Sequence, residues 1–132
     1  MSIALPPYAA ALGIAVDRQD DGGLPILAMP FGPRVEGRPG YLHGGAIAGL
    51  LEIAGFAALH AHLAQEERDL RLKPINVTTQ FLRGGRSETT YALGRVTRAG
   101  GRTANVDVEC WQSDGAKPVA TAVMNFLLAE RG

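Results

Sequence analysis

GGAIAGLLEIAGFAAL, residues 44–59, contains a single polar side chain, the carboxylate of Glu52. Burying an unpaired charge is costly, so a lone acid in an apolar segment requires a reason. The segment is short for a membrane span and carries its charge near the middle, which argues against lipid. It predicts a helix from about Gly44 to Leu63 at the centre of a soluble core, with its one acid directed at a cleft. His43 precedes it, followed by Gly44 and Gly45, where a helix N-terminus presents unpaired backbone N–H groups. A carboxylate beside oxyanion donors suggests acyl chemistry.

Outward from this helix the pattern changes. Pro6 and Pro7 suit the entry of a short helix over 6–12. Two strands are expected at Gly13–Arg18 and Leu24–Pro30, divided by the turn-rich DDGG of Asp20–Gly23. FGPRVEGRPG, residues 31–40, is loop. From Lys73 the period becomes two. In INVTTQFL, Ile75, Val77, Thr79 and Phe81 share one face and Asn76, Thr78, Gln80 and Leu82 the other. Further strands are expected in TTYALGRVTR (89–98), TANVDVECW (103–111) and PVATAVMNFLL (118–128). The links at 84–86, 99–101 and 113–117 are short and glycine-containing, the form antiparallel hairpins require. The expected fold is therefore α+β, an antiparallel sheet of about six strands wrapped around one long helix. Exposed sheet edges favour pairing between subunits, in a homodimer or a dimer of dimers.

Composition narrows the partners. The 132 residues fit one domain, 1–132, able to bury a core without disulfides or metal. Thirteen basic residues balance thirteen acidic ones, so no overall field recruits nucleic acid or a membrane surface. The lone Cys110 excludes an internal disulfide or a cysteine-based zinc site and fits a cytoplasmic setting. The apolar N-terminus has no basic residue before its apolar part and is interrupted by two prolines, so no signal peptide is read there. His60 and His62, two apart on a helix, point to different sides and make no metal pair.

GYLHGGAIAGLLE (40–52), FLRGGR (81–86), GRTANVDVECW (101–111) and DGAKPVATAVMNFL (114–127) together resemble the hot-dog fold. Within it they resemble the PaaI-type acyl-CoA thioesterases, over about residues 36–129. The resemblance implies hydrolysis of an aliphatic or aromatic acyl-CoA to free acid and coenzyme A, with no cofactor beyond the coenzyme A of the substrate and no metal. Gly44 would polarise the thioester carbonyl through its backbone N–H. Glu52 would act as general base or nucleophile. His43 is a further catalytic candidate, though its position favours a helix-entry role in which the ring bonds backbone groups.

Substrate-binding candidates are Gly45, Phe56, Asn76, Thr78, Arg83 and Arg86. The two arginines would hold coenzyme A phosphates, Asn76 or Thr78 would hold water in the cleft, and Phe56 and Met124 would limit an acyl tunnel. Many relatives carry asparagine or glutamine six residues before the histidine, where this chain has Gly37. One branch carries threonine one turn after its acid, at Phe56 here. A non-catalytic acyl-CoA binding or regulatory module, and an enoyl-CoA hydratase or dehydratase on the same fold, stand as alternatives.

Overall fold

The computed structural model describes residues 4–131; Met1–Ile3, part of the apolar opening discussed above, and Gly132 lie outside it. A short helix α1 (Pro7–Leu12) leads into strands β1 (Ala15–Gln19) and β2 (Pro25–Met29). The long helix α2 (Gly44–Gln65) follows, then β3 (Leu70–Phe81), β4 (Thr90–Ala99), β5 (Thr103–Trp111) and β6 (Ala120–Glu130). All six strands form one antiparallel sheet in the order β1-β2-β4-β5-β6-β3. This single sheet wrapped around one long helix is the hot-dog fold.

Strand alternation sets the inner face. Ala104, Val106, Val108 and Cys110 of β5, with Ala120, Ala122, Met124, Phe126 and Leu128 of β6, are all buried toward α2. Leu50, Leu51, Ala54, Ala57, Ala58 and Leu59 meet them from the helix. Contact is close at the centre. A Cβ at Gly94 would lie 2.8 Å from that of Ala58, and one at Gly55 would lie 2.4 Å from Met124 Sδ, so glycines on both layers set the helix-to-sheet spacing. At 22 residues α2 is long enough to cross a membrane, beyond the apolar stretch read from the sequence, but 72% of its apolar window is buried within the protein. Its apolar character serves the core.

Two expectations from the sequence require correction. The link at 84–86 is not a hairpin, because β3 pairs with β6 and not with β4. Residues 82–89 instead cross from the sheet edge to its interior, anchored by Leu82 and Arg83 N–H groups that donate to Val119 O. Second, β3 begins at Leu70, and its register shifts between Pro74 and Asn76. The extra residue at this bulge reverses the phase of alternation. Leu70 and Leu72 pack against the core before it and Val77 after it, while Ile75 is left 56% exposed.

Candidate active site

The start of α2 is built by His43. Its backbone is extended (φ −72°, ψ 135°), and its Nδ1 accepts the Gly45 N–H at 2.8 Å. The His43 carbonyl accepts from Ala46 and Ile47 N–H. Of the first-turn donors, only Gly44 N–H finds no acceptor among the described residues. It opens on exposed surface beside the Phe81 ring, which lies 3.7 Å from the position a Gly44 Cβ would take. Gly45 is thus committed to the cap. His43, exposed, uses one ring nitrogen as acceptor, which places the hydrogen of a neutral imidazole on Nε2.

The loop before His43 is held as firmly. Gly37 N–H donates to Tyr41 O and His43 N–H to Val35 O. A Cβ at Gly37 would lie 3.0 Å from His43 Cα and 3.3 Å from its nitrogen. An amide side chain at this position, which many hot-dog relatives carry, requires the His43 backbone to give by a few tenths of an ångström.

Glu52 stands two turns along the same helix, exposed at the mouth of a groove of about 220 Å³. Pro6, Tyr8, Gly49, Ile53, Phe56, Pro74 and Met124 form the remaining walls, so its carboxylate is the one charged group in an apolar setting. Phe56, one turn on, joins Glu52 there and stacks on His60 with ring centroids 6.2 Å apart. Eight residues at 1.5 Å rise put Gly44 and Glu52 about 12 Å apart along the axis. Base and oxyanion donor are therefore not neighbours within one chain.

Asn76 and Thr78 do not face the cleft. The β3 bulge turns them to the outer side of the sheet, where Asn125 Nδ2 donates to Asn76 Oδ1 at 2.7 Å and Asn105 Nδ2 donates to Asn125 Oδ1. Asn76 thus ends an asparagine ladder across β5, β6 and β3, on the face opposite α2.

Arg83 and Arg86 lie on the crossing segment and help line a second cavity of about 630 Å³ with Arg38, Tyr41 and Lys117. The Arg38 and Arg86 guanidinium groups lie over the Tyr41 ring, at 4.1 and 4.8 Å from its centroid. Arg83 Nε donates to Pro118 O. None of these four cations forms an ion pair among the described residues, and Glu88 and Asp114 are the only acids lining the cavity. Arg38 and Tyr41, from the loop before α2, and Lys117, from the loop between β5 and β6, escaped the sequence reading because the crossing segment gathers two loops far apart in the chain. Cys110, fully buried, has its thiol pushed up to about 12 by burial and offers no nucleophile.

The thioesterase superfamily model matches residues 39–119. The chain belongs to the thioesterase superfamily. Among solved structures similar to this superfamily member, one from Chromobacterium violaceum is 32% identical and covers 96% of this chain and 85% of its own, with a TM-score of 0.74. A thioesterase from Pseudomonas aeruginosa, solved as a mutant, is 28% identical over 92% of this chain and 85% of its own, with a TM-score of 0.79. A Bacillus halodurans protein solved with CoA shares the fold at 18% identity, covering 95% of this chain and 80% of its own, with a TM-score of 0.76. No curated protein matches this superfamily member by sequence.

Proposed function

We propose that this superfamily member is a PaaI-type acyl-CoA thioesterase whose reaction centre is shared between two copies of the chain. The observation that carries this reading is the spacing on α2. Gly44 N–H is a free donor at a positive helix end, and Glu52 is a free carboxylate in an apolar groove, but about 12 Å separates them. One thioester carbonyl meets both only if a second chain brings its own α2 alongside, so that Gly44 of one copy faces Glu52 of the other. The surface around them suits such an approach. One edge of β3 has no neighbouring strand, and Ile75, Phe81 and Leu82 stand 56%, 57% and 48% exposed along it.

The chemistry then follows from the two groups. The carbonyl oxygen gains negative charge as the tetrahedral intermediate forms and takes the Gly44 N–H, an interaction worth roughly 3–4 kcal/mol in the barrier. Glu52 either takes a proton from attacking water and passes it to the departing thiolate, or attacks the carbon itself to form an anhydride that water then hydrolyses, its proton going to the thiolate; both routes give free acid and the thiol of coenzyme A. Neither route requires a metal or a cofactor. Carrier recognition falls to the Tyr41 cavity. Its unpaired Arg38, Arg83, Arg86 and Lys117 suit the diphosphate and 3′-phosphate of coenzyme A, and Tyr41 sits two residues before the helix cap. The hydratase alternative loses ground because the Nδ1 lone pair of His43 is already engaged.

Free-thiol release across a panel of acyl-CoA esters tests the proposal, with wild type and Glu52→Gln side by side. The expected result is turnover by wild type and a loss of at least about a hundredfold in the variant. No release by wild type on any ester it binds overturns the hydrolase reading in favour of a binding module.

A further inference from the structure

The groove beside Glu52 takes one of its walls from the far end of the sequence. Helix α1 is seated by buried Ala9 and Leu12 and stopped by Gly13 in the left-handed conformation (φ 72°). Arg34 Nη1 ties it down through Ala10 O. A Cβ at Gly49 would lie 2.9 Å from Leu12 Cδ1 and 3.2 Å from Tyr8 Cε2, so α1 rests directly on the backbone of α2 at that residue. Gly49 is one turn before Glu52, and Phe56 one turn after it, on a common helix face. The Tyr8 ring is therefore fixed over the turn next to the acid. Its hydroxyl bonds to no group among the described residues, and the side chain is 56% exposed, so the core does not account for an aromatic there.

We propose that Tyr8 is a specificity-determining residue, the wall that sets the length of the acyl group accepted beside Glu52. This rests on the acyl-thioester reading above. Once Glu52 reaches the thioester carbon, the acyl chain enters the adjacent apolar groove between Tyr8, Ile53, Phe56, Pro74 and Met124. The groove measures about 220 Å³. The groove opens to the surface, and Tyr8 is the wall that α1 supplies, so its ring takes up space along the path of the chain. Substituting position 8 moves the limit opposite to the change in side-chain volume, because Ile53 and Met124 across the groove are buried in the packed core.

The test is kcat/KM over straight-chain acyl-CoA esters from acetyl to hexadecanoyl, for wild type, Tyr8→Ala, Tyr8→Trp and Tyr8→Phe. Wild type is expected to show a single chain-length optimum. Tyr8→Ala moves the peak longer by two or more carbons, Tyr8→Trp moves it shorter, and Tyr8→Phe leaves it in place. A purely structural role of Tyr8 lowers all rates together and cannot shift the optimum in opposite directions. An active wild type with one optimum shared by all variants overturns the assignment. A wild type inert toward every ester overturns the thioester reading itself, and the assignment with it.

Discussion

Gly44→Pro removes the one backbone donor that the proposed mechanism uses while sparing the helix. Gly44 is the first residue of α2, the position at which proline is best tolerated, since its missing N–H has no intrahelical partner. The residue before a proline must be extended, and His43 already is, at φ −72° and ψ 135°. The nearest side-chain atoms to a Cβ at position 44 are at 3.7 Å, an ordinary contact with Phe81. The variant is thus expected to fold and to lose about 10²–10³ in kcat, the loss associated with one oxyanion donor. Glu52→Gln is expected to lose at least about 10², the contribution of a positioned base. The informative experiment joins the two. Co-expression with different affinity tags and sequential purification yields a heterodimer carrying one substitution on each chain. A centre shared between chains leaves one intact site, with Gly44 from the Glu52→Gln chain and Glu52 from the Gly44→Pro chain, so the heterodimer recovers about half of wild-type activity per dimer. The other site carries both lesions and contributes nothing. A centre within one chain leaves every site damaged, and the heterodimer stays as inactive as its parents. That second result, with the heterodimer confirmed intact, refutes the 12 Å argument.

Removing charge from the Tyr41 cavity, by Arg38→Ala or Arg86→Ala, is expected to raise KM for acyl-CoA several-fold. The same variants leave turnover of an acyl-N-acetylcysteamine thioester, which lacks the nucleotide, within twofold of wild type; equal effects on both esters count against a phosphate site. Gly37→Asn, which reinstates the side chain many relatives carry, is expected to lower stability by about 1–3 kcal/mol through collision with the His43 backbone, read as a drop in thermal midpoint. Asn125→Ala breaks the outer ladder and is expected to cost about 1 kcal/mol in denaturant unfolding, while Asn76→Ala leaves kcat/KM unchanged. Because burial raises the Cys110 thiol from 9.0 to about 12, the unfolded chain loses that proton first. Its contribution to stability is complete below pH 9.0 and falls by about 1.4 kcal/mol per pH unit up to about 12, a slope that Cys110→Ala removes.

The sequence carried the fold wherever a local period decides the structure. The apolar run of α2 and the alternation of β5 and β6 can be read directly, because each side chain faces the core or solvent according to its own position. It fell short where pairing is decided at a distance. FLRGGR has the glycines of a hairpin, yet residues 82–89 cross the fold, since β3 finds its partner in β6, more than forty residues on. The bulge at Ile75 then set Asn76 and Thr78 on the outer face, and alternation along the strand could not say which of its two faces would look into the cleft. Of the candidate site, Glu52, His43 and Gly44 are legible because each is locally odd: an acid among aliphatics, and a capping ring before bare backbone. Arg38 and Tyr41 lie on a different loop from Lys117, and Tyr8 lies over forty residues before the acid it flanks. No spacing rule connects them.

Under the proposed sharing of the centre, the eight-residue offset between Gly44 and Glu52 also sets a rate law. Where two chains must meet to assemble one reaction centre, turnover in dilute solution grows with the square of the amount of protein, not in proportion to it. Halving the amount of chain below the dissociation constant of the pair then removes about three quarters of the output. Such a catalyst is quiet when scarce, and its response to abundance is written into the pitch of a single helix.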